Sequence, residues 1–231
     1  MIATALAQTV GAILPLAVAV AISPVPIIAV VIMLGTPRAR ANGPAFAFGW
    51  VAGLAVVATL VLVLAGVSGA DDPGSSAATG TDWVQVALGV VLLVLAARQW
   101  RSRPAPGEQA ELPGWMEKVD HFGPGESVGA GVVLSAANPK NLLLAVSAGA
   151  TIGQAGLSGG QDVIAVAIFV VIGSLTVAGA VIYSFVDRKG SAQALASVKS
   201  FMAANNAVIM TVLLGVIGAK VLGQGIGGAF S

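Results

Sequence analysis

The chain has 231 residues, 57% of them hydrophobic and only 9% charged, against about 25% charged in an ordinary soluble domain. That balance excludes a soluble globular protein and defines an all-α polytopic membrane protein. With no cysteine, the chain has no disulfides and no thiolate metal or redox sites; the net charge of +1 says nothing about nucleic acid, which is not among the expected partners.

A membrane-crossing helix needs about 20 apolar residues. Six segments qualify, at about 6–34, 45–67, 83–99, 128–152, 162–185 and 204–222. The first begins without the positive charge of a secretory leader, since 1–22 contains no lysine or arginine. We read it as a retained span, with a cleaved signal peptide as the alternative. It is long, and Ser23-Pro24-Val25-Pro26 interrupts it near the centre. Proline removes a backbone donor and clashes with the preceding turn, so carbonyls are freed there. Within a bilayer such a break is tolerated only against protein, polar side chains or a water-filled cavity.

The second span carries Gly49 and Gly53, and the fifth carries Gly173 and Gly179. Small residues let helices approach closely, so packing is the simplest role for each. Gly49 and Gly53 are also candidates for leaving substrate room beside the first break. The fourth span is interrupted in its turn by Asn138-Pro139-Lys140-Asn141. Ser135 stands one turn earlier and reads as a serine bonding back to its own helix.

The connections alternate in charge. Arg38 and Arg40 lie in 35–44; Arg98, Arg101, Arg103 and Lys118 in 98–127; Arg188, Lys189 and Lys199 in 186–203. The 68–82 loop holds Asp71, Asp72 and Asp82 and reads as flexible, while 153–161 is uncharged. Cytoplasmic loops carry the Lys/Arg excess. Nine of eleven basic residues therefore share the cytoplasmic side of an inner membrane, with both termini opposite. Lys220 falls near the C-terminus and Lys140 inside a span. In 98–127, Trp115, Val119 and Phe122 recur at helical spacing, as in an amphipathic helix on the membrane surface or a loop packed on the bundle.

Three spans per half force the second half to enter from the opposite side. The expected architecture is one membrane domain over 1–231: repeat 1 at about 6–99, a cytoplasmic connection at about 100–127, and repeat 2 at about 128–222. It is a 3+3 inverted repeat with helices 1 and 4 broken. Pro24 lies about 15 Å from the cytoplasmic end of its span and Pro139 about 16 Å from that of its own, at 1.5 Å per residue. Both breaks fall near the middle of a core about 30 Å thick. The candidate substrate-binding or gating residues are Ser23, Pro24, Pro26, Asn138, Pro139, Lys140 and Asn141, with Gly49, Gly53 and Gly173 packing nearby.

An ionisable group at mid-bilayer is a functional candidate by default. Lys140 has three resolutions: carbonyls freed at the breaks, loss of its proton, or an anionic substrate. The competing reading is a stem that snorkels to the interface. Asn138 and Asn141 are placed to cap half-helices or to bind a ligand, and Ser23 to satisfy a freed carbonyl. The single histidine, His121, lies outside the spans, and no Walker A pattern is present. No catalytic residues, metal or cofactor are expected, and the chain is not read as an enzyme.

The motifs together resemble a known family. Pro24-Val25-Pro26 and Asn138-Pro139-Lys140 in a six-span chain resemble the LysE superfamily of exporters. Ser23-Pro24-Val25-Pro26-Ile27, Pro37-Arg38-Ala39-Arg40, Ala45-Phe46, Gly49-Trp50-Val51-Ala52-Gly53-Leu54, Pro113-Gly114-Trp115-Met116 and Asn138-Pro139-Lys140-Asn141-Leu142 resemble its GAP family. That family comprises the sulfolipid- or glycopeptidolipid-addressing proteins of mycobacteria and related actinobacteria. The resemblance covers about 8–222 and implies export of a cell-envelope glycolipid. Wider relatives carry Pro-Gly-Pro where this chain has Pro24-Val25-Pro26, which argues against a small amino-acid substrate. Two alternatives stand beside glycolipid export: a small-solute exporter, and a non-transporting scaffold subunit of lipid export. Partners are a lipid or glycolipid, the membrane, a second copy of the chain, and envelope-lipid synthesis or export proteins.

Overall fold

A computed structural model describes residues 2–67, 76–103, 118–119 and 121–229. Among these, every regular element is helical. The expected first span is two helices, α1 (Ile2–Ala21) and α2 (Pro24–Leu34), parted at the proline pair. There follow α3 (Ala39–Val67), α4 (Ser76–Arg101), α5 (Pro124–Val132), a π-helical turn Val133–Ala137, α6 (Pro139–Gly153), α7 (Gly159–Val186) and α8 (Arg188–Ala229). The α5 start is set by Pro124 in the first helical position, with Glu126 accepting from the Gly123 N–H at 2.7 Å.

Two connections depart from expectation. The 68–82 loop lies outside the described residues as far as 75, then is helical from Ser76. The 186–203 connection is the first four turns of α8. Hydropathy measures compatibility with lipid, whereas helicity follows propensity, and 191–203 holds four alanines and neither glycine nor proline. Leu195 and Met202 from this stretch pack on the core. Most of the expected amphipathic helix, including Trp115, lies outside the described residues, but Val119 is fully buried and Phe122 packs beside it.

Five helices are long and apolar enough to cross a membrane: α1, α3, α4, α7 and α8. The fourth expected span is divided among α5, the π turn and α6, none of which has that length alone. Val56 and Leu60 of α3, Val163 and Val171 of α7, and Val212 and Val216 of α8 are exposed. So many bare apolar side chains mark the surface as lipid-facing rather than wetted.

Packing follows a reciprocal plan. α3 lies against α5 and α6, α1 lies against α7, α2 lies chiefly against α8 and less against α7, and α4 lies against α8. Along α4 and α8, Val86 meets Gly225, Gly89 meets Leu222 and Leu93 meets Gly218, so the two run antiparallel. A Cβ on Gly89 would fall 2.5 Å from the Leu222 backbone nitrogen. Glycine is what lets the backbones touch. α3 runs parallel to α5–α6, with Gly49 at Val128, Ala58 at Gly149 and Ala65 at Gly153.

Candidate functional site

At the first break, the residue before proline is pushed out of the helical region, and Ser23 sits at φ −70°, ψ 113°. Its N–H turns to Val20 O at 3.2 Å instead of reaching Ala19 one residue further back. Pro24 has no N–H for Val20, so that carbonyl is satisfied by Ser23. Ala19 and Ala21 are left for side chains from the other half of the chain. Lys140 Nζ donates to Ala19 O at 2.7 Å, and the Thr176 hydroxyl donates to Ala21 O. The helix resumes with Ile27 N–H on Ser23 O at 3.3 Å.

The second break solves the same problem by widening. Asn138 N–H reaches back five residues to Val133 O at 2.9 Å, which makes the preceding turn a π-helix. Leu134 O, its ordinary partner, takes the Asn141 amide Nδ2–H at 2.9 Å. Asn138 Oδ1 caps α6 by accepting from Lys140 N–H at 3.1 Å. Ser135 bonds back to Gly131 O at 2.8 Å, as its position suggested.

The two breaks are joined directly. Lys140 Nζ donates to Ser23 Oγ at 2.7 Å, and Ser23 Oγ donates in turn to Asn141 Oδ1 at 3.0 Å. Lys140 is 3% exposed, so its stem does not snorkel to the interface; its amine closes on α1. Ser23 does not satisfy a carbonyl of its own break: its hydroxyl serves side chains of the other one. Asn138 stays a local cap and reaches this node only through the Lys140 backbone.

The predicted glycines are near the breaks, in a different arrangement from that expected. Gly53 backs the second break, where a Cβ would collide with the Ser135 hydroxyl, and Gly49 lies against the Val128 carbonyl. Neither leaves room at the first break. That position belongs to Gly173, packed on Val20 and Leu54, with its carbonyl accepting Trp50 Nε1–H at 3.3 Å. These three glycines are therefore used within the chain, and of the expected small-residue faces only Gly179 stays open.

Sequence reasoning missed Thr176 and the indole of Trp50. A hydroxyl and a ring N–H inside apolar spans need internal acceptors, and that was the available signal. Lys220, near the C-terminus and inside the expected sixth span, lies within α8 and donates to Ala12 O of α1.

α2 and α6 begin at the breaks and bring two positive helix ends beside Lys140, while α1 and the π turn finish there and bring two negative ones. The helix fields largely offset, and because Pro24, Pro26 and Pro139 withhold first-turn donors, Lys140 supplies the donor hydrogens. No aspartate or glutamate occurs anywhere in α1, α2, α3, α6 or α8.

An all-helical, lipid-facing bundle with a buried lysine node between two broken helices defines a multi-pass membrane protein. The sulfolipid-1-addressing protein (Sap) family matches residues 13–227, and the chain belongs to that family. No curated protein and no solved structure matches it.

Proposed function

We propose that the protein is an exporter or flippase-like facilitator of an anionic cell-envelope glycolipid. The headgroup engages Lys140 where the two broken helices meet. One observation carries this reading: a buried amine, without a carboxylate partner in the surrounding helices, held by groups that a headgroup oxygen can replace. Lys140 leans on a neutral carbonyl and a neutral hydroxyl, and a sulfate or phosphate is a stronger acceptor than either. A sulfolipid, the lipid in the family's name, has this chemistry. Kinship with LysE-superfamily exporters belongs to the same proposal, as does transport rather than catalysis.

The architecture proposed is six passes in a 3+3 inverted repeat within one membrane domain. The packing supports it: α1 lies on α7 as α5 and α6 lie on α3, and the third helices pair antiparallel. The distribution of basic residues supports an orientation with the Arg38 end in the cytoplasm and both termini outside. The natural absence of cysteine makes single-cysteine labelling clean. Cysteines at Arg40 and Lys199 are expected to resist an impermeant maleimide in intact cells, and one at Gly159 to react. The opposite pattern would invert the topology.

Transport itself is tested in proteoliposomes containing the purified protein, with a headgroup-labelled sulfated glycolipid and its neutral counterpart of equal acyl length. Faster transbilayer movement of the anionic lipid, on the order of tenfold over protein-free vesicles and equivalent to about 1.4 kcal/mol, is the expected result. Efflux of amino acids with no lipid movement would instead favour the small-solute exporter.

A further inference from the structure

α3 and α7 are antiparallel neighbours that touch over only half their shared length. Gly43 packs on Val181, and Leu54 lies on Gly173 under the Trp50 hydrogen bond. Beyond that contact they part. A cleft of about 250 Å³ opens between Ala55, Thr59 and Leu62 on α3 and Val166, Ala167 and Val170 on α7. Its lining is apolar but for Thr59. Its flanks, Val56 and Leu60 on α3 and Val171 on α7, are 63%, 59% and 61% exposed, so it opens directly onto the lipid-facing surface.

The inner end of the cleft leads towards the Lys140 node. Leu54 and Val170 adjoin Ala55 and Gly173, and Gly173 packs on Val20. Val20 is the immediate neighbour of Ala19, whose carbonyl holds Lys140. The cleft runs along the Ala55–Leu62 stretch, about 10 Å at 1.5 Å per residue, and the packed Leu54, Gly173 and Val20 stand between its inner end and the buried amine.

We propose that this cleft seats an acyl chain of the anionic lipid whose headgroup engages Lys140. The inference rests on the transport reading and adds to it the lateral entry that a lipid needs. An acyl chain is the occupant because the lining is apolar, continuous with the bilayer face, and bounded at its inner end by the Trp50–Gly173 contact. A polar solute has nothing here to bind except one hydroxyl. The tail stays in an apolar medium while the headgroup moves.

The test is photo-crosslinking in phosphatidylcholine vesicles doped with phosphatidylglycerol carrying a diazirine in its acyl chain. Phosphatidylcholine bearing the same diazirine is the comparison, and adducts are mapped by mass spectrometry. Adducts should concentrate on Thr59, Leu62 and Val166 several-fold over Val56 and Leu60, and more strongly for the anionic probe. The double substitution Ala55→Phe with Ala167→Phe fills the cleft and should bring the signal to the level of Val56, without lowering the yield of folded protein. Should that variant not fold, the wild-type map alone decides. Uniform labelling along α3 would overturn the seat, whatever the transport phenotype of Lys140 variants. Enrichment without preference between headgroups would keep the tail seat and remove its link to Lys140.

Discussion

Replacing Lys140 with methionine is expected to abolish lipid delivery while leaving the protein folded and inserted. Two terms oppose each other in stability. The substitution strands Ala19 O without its donor, at about 1–3 kcal/mol for a buried unsatisfied group. It also removes a buried amine whose desolvation is itself costly. The net change in Tm is therefore small. Function has no such compensation, because the donor hydrogens of the node go with the amine. Truncating one partner of a buried charged hydrogen bond costs about 2–5 kcal/mol, so the transport rate should fall by at least ~30-fold. Lys140→Arg keeps the charge on a larger, planar group. It should retain part of the activity and lose closure on Ser23. Measured side by side in proteoliposomes and by surface-lipid extraction, an active Lys140→Met protein would sink the headgroup role. It would also turn attention to the scaffold reading, in which deletion of 101–122 destroys function and the membrane node is silent.

The local chemistry of this site was legible in the sequence because its causes are local. A proline without an N–H predicts a break wherever it falls in an apolar run, and both breaks are found at Ser23-Pro24 and Asn138-Pro139. The back-bonding of Ser135 and the capping by Asn138 follow from spacing within one helix. A freed carbonyl as a partner for Lys140 was one of the readings the sequence allowed, but that it is Ala19 O, and what meets Ala21 and Leu134, did not follow. Ser23 and Asn141 are 118 positions apart, and their meeting depends on how two halves dock, which no short-range pattern encodes. Gly53 and Gly173 show the same limit. Each was recognised as a packing residue, yet each backs the break that only tertiary structure assigns to it. Thr176 was passed over because a lone threonine in a span is usually bonded to its own helix. Here it instead meets Ala21 O of α1.

Asn141 gives the sharpest separation between holding the site together and setting its charge. Its amide fills two roles at once: Nδ2 donates to Leu134 O, and Oδ1 accepts from Ser23. Asn141→Leu has similar bulk and satisfies neither, leaving two buried polar groups unmatched at about 1–3 kcal/mol each. In a bilayer the unfolded reference also finds partners, and measured interhelical bonds average about 0.6 kcal/mol, so the lower end applies. A total of about 2 kcal/mol corresponds to a Tm lower by roughly 4–8 °C for a chain of this size, read by thermal unfolding in detergent. Asn141→Asp keeps the acceptor for Ser23 but sets a carboxylate beside Lys140. That carboxylate gives the amine an internal counter-ion and cancels the attraction for an anionic headgroup. The aspartate variant should thus move anionic and neutral lipids at the same low rate, with a smaller loss of Tm than the leucine variant. If the aspartate protein kept its preference for the anionic lipid, the charge of Lys140 would not be what the substrate reads.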